Sequence, residues 1–135
     1  MPRYQGLSAS PGIAIGPALV YHTQKVAFTE DRVDDPRIEW RLLEQAIRKA
    51  HTQLTALEQR ARKIAGEEEA AIFEAHRLFL DDEELLEKLR TLVLEERLNA
   101  KAAVHHAFEQ YAEALLALEE EYFQARAQDL RDVAQ

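Results

Sequence analysis

From Pro36 to residue 135 the chain has no further proline and one glycine, Gly66, and its composition shifts to Ala, Leu, Glu, Arg and Gln. Glycine and proline are the main interrupters of helices, so a stretch this poor in both has to fold as long helices. Asp35 can cap free amide groups and Pro36 fits a first helical position, which starts the first helix at Asp35-Pro36. It should run to Ile64 and stop at Gly66. Within it Trp40, Leu43, Ile47, Ala50, Leu54, Leu57, Ala61 and Ile64 recur by three and four, giving one seam for lengthwise packing. Val104, Phe108, Tyr111, Leu115, Leu118, Tyr122 and Ala125 make a second seam. Two shorter helices are predicted between the seams, over roughly 68–80 and 82–97. The second is entered by Asp81 as a cap with Glu84 three residues on. Asn99 is the expected cap of the last long helix, which bends or continues near Glu119. The expectation is a mainly α fold, an antiparallel four-helix-type bundle.

Residues 1–32 differ in kind. They hold three of the four glycines, three of the four prolines and both serines. Gly12 to Tyr21 is β-branched and aliphatic material broken by Gly and Pro, so a short N-terminal β segment is expected. The chain divides at this change of composition into 1–32, strand segment, and 33–135, helical region.

Charge is uneven as well. The 25 acids against 17 Lys and Arg give −8. Residues 67–96 alone hold 11 acids and 3 bases, so the remainder balances at 14 and 14. No basic surface is concentrated anywhere, which argues against nucleic acid as a partner. No segment approaches the run of about 20 apolar residues that spans a membrane. The chain has no cysteine, which removes disulfides, thiolate metal sites and cysteine nucleophiles, and fits a reducing cytoplasm.

The acidic excess frames one short helix. Glu67-Glu68-Glu69 and Asp81-Asp82-Glu83-Glu84 flank a segment in which Leu78, Ala71, Ala75, Phe79, Ile72, Leu80 and Phe73 sweep an arc of about 220°, against the roughly 100° that a surface helix buries. Glu74 and Arg77 mark its wet side, and Ile72, His76 and Phe79 share one stripe. Two readings fit: a helix covered on both sides by neighbours, or an apolar face left open for a protein of opposite charge. His76 by itself reads as a core or boundary residue. His105 and Glu109 are four apart, but two ligands are too few for a metal site, and Glu-x-x-His pairs are absent. Gly6, Gly12 and Gly16 match no phosphate-loop spacing. No catalytic constellation is legible.

Three blocks together resemble the N-terminal part of enzyme I of the bacterial phosphoenolpyruvate:sugar phosphotransferase system. They are Gly6-Leu7-Ser8-Ala9-Ser10-Pro11-Gly12-Ile13-Ala14-Ile15-Gly16, the segment Glu67 to Leu85, and Glu121 to Val133. In that family a phosphoryl group passes from phosphoenolpyruvate to a histidine and then to the small carrier protein HPr. The resemblance implies that 33–135 is the HPr-docking subdomain and that 1–32 belongs to an incomplete α/β phosphohistidine domain. The docking positions it implies here are Glu67, Glu68, Ile72, His76, Phe79, Glu84, Leu115, Phe123 and Arg126.

The departures define what is expected of this chain. His22, His51, His76, His105 and His106 all lack the Gly- and Ser/Thr-rich surroundings of the family's phosphorylated histidine. The barrel that binds phosphoenolpyruvate and magnesium has no counterpart. A fragment that binds HPr, carries no cofactor and is not itself phosphorylated is the expectation, with self-association through the unpaired N-terminal strand or the exposed bundle surface. The competing readings are a helical scaffold unrelated to phosphotransfer, or a fragment of a related phosphoenolpyruvate-using enzyme with another acceptor.

Overall fold

The structure is a computed structural model that describes residues 3–7, 10–22 and 25–135. It is mainly helical. The helices are α1 (Pro36–Ile64), α2 (Glu67–Leu80), α3 (Glu83–Arg90), α4 (Ala100–Leu116) and α5 (Glu121–Val133). The first helix keeps the bounds predicted for it. Asp35 Oδ1 accepts from the Arg37 amide at 3.0 Å, Pro36 occupies the first turn, and Gly66 ends the connection with φ +117°. Only Ala65 and Gly66 separate α1 from α2, so the two fold back as a helical hairpin.

Three boundaries move. The cap of α3 is Asp82 and not Asp81: the Asp82 carboxylate accepts from the Leu85 amide at 2.8 Å, while Asp81 Oδ2 lies 3.3 Å from His51 Nε2 on α1. Beyond Arg90 the α ladder gives way to a π-helical turn over Thr91–Glu95, closed by the Glu96 amide on the Thr91 carbonyl at 3.1 Å. Arg97 then takes φ +59°, a left-handed turn that ends the helix. The predicted last helix is two, broken over 117–120. Asn99 caps α4 through the Ala102 amide at 3.0 Å, as predicted.

That break explains where the second seam fails. Val104, Phe108, Tyr111 and Leu115 pack in or against the core, but Leu118, Tyr122 and Ala125 are exposed. A seam continues only while the helix does, and α5 turns back onto α4 as a second hairpin. The two hairpins touch through α1 with α4 and α2 with α5, while α3 and its π turn pack on α1 and α4. Leu85, Leu89, Val93, Phe108 and Leu130 form the centre of the shared core.

The N-terminal segment is the largest departure. Among the described residues it forms no strand; an isolated bridge of Arg32 with Leu98 is its sole β pairing. Ladder amides and carbonyls need a neighbouring strand, and Ile13, Ile15 and Leu19 stand almost fully exposed without one. Ser8 and Ala9 of the first sequence block, with Thr23 and Gln24, lie outside the described residues. The end of this segment is nonetheless anchored. Asn99 Nδ2 donates to the Thr29 and Asp31 carbonyls at 2.7 and 2.9 Å, and Val33 donates to the Arg97 carbonyl at 2.8 Å.

Candidate docking face

Which side of α2 is open is decided by a carboxylate on α1. Glu58 is 7% exposed, and its oxygens lie 2.9 Å from Arg62 Nη2 and 2.9 Å from Arg77 Nη1. Arg77 also donates to Thr55 Oγ1 at 3.3 Å. The sequence assigned Arg77 to the wet side; it instead faces α1, because a buried carboxylate requires a cation beside it. Helical spacing puts Ala70, Phe73, Arg77 and Leu80 on that inner face, and Ala70 and Leu80 are buried. The apolar residues left over point away: Ile72 is 51% exposed and Leu78 60%. The described residues thus leave Ala71, Ile72 and Leu78 exposed, while the rest of the apolar arc is at least partly covered.

On the flank between those faces, α2 meets α5. His76, with a side chain 13% exposed, places Nε2 3.3 Å from Asp129 Oδ1. The other oxygen of Asp129 lies 2.8 Å from Arg126 Nε, one turn earlier on α5. The Arg126 guanidinium also stands 5.3 Å above the Tyr122 ring, a cation–π contact, and Phe123 packs edge-on against Tyr122 at 5.3 Å. One carboxylate thus joins two sequence-predicted docking residues, His76 and Arg126, with Phe123 beside them.

The other predicted positions are placed differently. Glu67 accepts from Arg62 Nε at 2.9 and 3.0 Å, at the amino end of α2, where a negative charge complements the helix dipole. Glu68 is exposed in the same turn. Phe79 and Leu115 are half-buried and pack against the core. Glu84 accepts from the Tyr111 hydroxyl at 2.9 Å, so it is held toward α4. Burial, then that hydrogen bond, pushes the Tyr111 phenol up to about 12 from 10.0. A raised phenol pKa means that the neutral form is the one the fold favours. Its contribution is complete below pH 10 and is lost as pH rises through about 12. A phenolate absorbance titration should show a late phase at about pH 12 that vanishes in Tyr111→Phe; an unaltered titration in that variant would count against the contact.

Asp129 and Asp132 were missed in the sequence. With His76 they bring three potential ligand atoms within 4.8 Å of one another. The pair that sequence spacing suggested, His105 and Glu109, does not close. Glu109 is bidentate to Arg131, whose hydrogen bond holds its carboxyl below the usual range, and His105 stacks on Phe28 at 4.4 Å. Spacing along the last helix sets Asp129 and Asp132 three apart, but their partner lies fifty-three residues earlier for Asp129, and only packing reveals it. The magnesium of the resemblance does not fit this cluster, since it offers an imidazole to an ion that prefers oxygen ligands alone. A cavity of about 750 Å³ lies elsewhere, between α1, α4 and the Phe28 segment. Its lining combines Leu42, Leu43, Val104 and Phe108 with polar side chains that include Lys101 and His105.

The comparisons with known proteins agree with this architecture. The family model described as PEP-utilising enzyme, N-terminal, matches residues 5–126. The chain belongs to that family. Curated relatives of this PEP-utilising N-terminal module include a phosphoenolpyruvate-protein phosphotransferase of Geobacillus stearothermophilus, 40% identical over 95% of this chain. One of Haemophilus influenzae is 36% identical over 96% of it. The chain spans 22% and 23% of the length of these two relatives. A solution NMR structure of an enzyme I protein superposes with a TM-score of 0.81 at 35% identity, over 93% of this chain and 52% of the other. The PEP-utilising N-terminal module is therefore similar to enzyme I in sequence and in fold. Among the described residues no helix is long and apolar enough to cross a membrane.

Proposed function

We propose that this chain is the HPr-docking part of a phosphoenolpyruvate-protein phosphotransferase, enzyme I of the sugar phosphotransferase system, acting in the cytoplasm. The observation that carries the reading is the half-exposed Ile72 beside the His76–Asp129–Arg126 junction, an apolar spot bordered by charge on a helix pair of enzyme I type. The apolar side chains Ile72, Phe79, Leu115 and Phe123 would bury against an apolar patch of the carrier. Glu67, Glu68 and Glu84 would speed encounter with its basic surface and fix its orientation. Arg126, held beside Asp129 and over Tyr122 but still partly exposed, is suited to a carboxyl or phosphate group.

In this reading 33–135 is the docking subdomain, built as a four-helix-type bundle, and 1–32 supplies strand material to a separate phosphohistidine domain. The exposed apolar run Ile13, Ile15, Leu19 supports that assignment, and it also supports association of two copies where the run stays unpaired. In the same reading phosphoenolpyruvate and magnesium act in other parts of the longer enzyme.

Titration of the isotope-labelled chain with HPr should shift the amides of Ile72, His76, Phe79 and Arg126. An unchanged spectrum at these positions would sink the docking reading. Incubation with phosphoenolpyruvate, magnesium and HPr should leave the chain unphosphorylated; a stable phosphohistidine on any of its histidines would overturn that half.

A further inference from the structure

We infer that His76, Asp129 and Asp132 form a site for a borderline divalent transition ion such as zinc, and that occupancy of this site opposes docking. The second part rests on the proposed function; the first does not. The donor set is one imidazole nitrogen and two carboxylates, contributed by two different helices, with the ligand atoms within 4.8 Å of one another. Zinc binds such donors at about 2.0–2.2 Å, which puts neighbouring ligand atoms roughly 3.4 Å apart in a tetrahedron. His76 Nε2 and Asp129 Oδ1 are already at 3.3 Å. Asp132 has to close the remaining gap, and it is exposed, held by one contact from the exposed Gln128 at 2.9 Å. Three protein ligands leave a fourth position for water.

Two features set the chemical class. The imidazole disfavours magnesium and calcium, and the two carboxylates match the charge of a divalent ion. Against the site stands Arg126, whose guanidinium occupies Asp129 Oδ2 at 2.8 Å. An ion bridging His76 and Asp129 would repel that guanidinium, which lies over the Tyr122 ring in the same position from which it reaches Asp129. Metal and Arg126 therefore compete for one carboxylate. Because His76 and Arg126 both belong to the proposed docking face, the ion would take up one recognition residue and displace the other.

The test is a calorimetric titration of the whole chain with zinc chloride in chelator-free buffer. One ion should bind per chain, and Asp132→Asn, an exposed change that leaves the fold intact, should weaken binding at least tenfold. His76→Gln should abolish it, and His106→Gln should leave it unaltered. Affinity unchanged in Asp132→Asn and His76→Gln, or cobalt-induced NMR shifts centred on His105 and His106, would overturn the site. HPr affinity is then measured with and without zinc. Failure of HPr to bind the metal-free chain sinks the docking reading and leaves the zinc site to its own titration. A drop of at least tenfold on adding zinc, absent in Asp132→Asn, supports the coupling. Zinc binding that leaves HPr affinity unchanged overturns it.

Discussion

Leu130→Ala is expected to lower the stability of the chain by about 2–5 kcal/mol, and to loosen α5 ahead of the rest. Leu130 is 0% exposed, and with Ala127 it makes up the buried face of α5. No other large side chain of this helix is fully buried, and Val133 packs only in part against the core. Its amino end at Glu120 has no side-chain cap, and thirteen residues are too few for a stable helix in water without packing. The ion pair of Arg131 with Glu109 is half-exposed and adds at most about 1 kcal/mol. Removing the Leu130 side chain therefore weakens the largest buried contact that α5 makes with the core, and with it the placement of Asp129 against His76. The comparison is Leu89→Ala, an equally buried leucine on α3. Urea unfolding should show a similar loss for both. Hydrogen exchange under native conditions should separate them, with faster exchange confined to α5 amides in Leu130→Ala alone. Equal protection of α5 in the two variants would mean that α5 is held by something other than this side chain.

The sequence reaches furthest where a local rule decides the outcome. The bounds of α1 follow from Asp35, Pro36 and Gly66, and the start of α4 follows from Asn99; both were legible because caps act over three or four residues. Local rules decide less where two candidates compete. Asp81 and Asp82 are both good caps, and the pairing of Asp81 with His51 on α1, thirty residues away, leaves Asp82 for the helix. The rotation of α2 was not legible at all. Arg77 looks solvated on a helical wheel, and only the buried Glu58 of the neighbouring helix shows that it faces inward. Likewise Asp129 has no meaning in the last helix until α2 is laid against it. The excess of apolar surface on α2 was legible, because one face of a helix can be buried by one neighbour and the arc was twice too wide. What pattern could not show was which part of the arc stays outside. Ile72 and Leu78 do, and Phe79 leans on the core.

Ile72→Asp is expected to weaken HPr binding roughly 30-fold or more, the equivalent of about 2 kcal/mol for an apolar anchor at the centre of an interface. The same substitution should leave unfolding nearly unchanged, within about 0.5 kcal/mol, because Ile72 is half-exposed and makes no part of the buried core. Stability and binding therefore separate at this residue, which they do not at Leu130. The acids should behave in a third way. Glu68→Gln removes one charge from the exposed first turn of α2, and its effect should fall on the association rate at low ionic strength and fade as salt is raised. An anchor acts after contact and a steering charge acts before it, so the two variants divide between the dissociation and association rates. Stopped-flow or surface-based kinetics with HPr measures both. If Ile72→Asp binds HPr like the parent chain, the apolar stripe of α2 is not the docking face. If its loss vanishes at high salt as the Glu68→Gln effect should, the added charge and not the lost apolar contact is responsible.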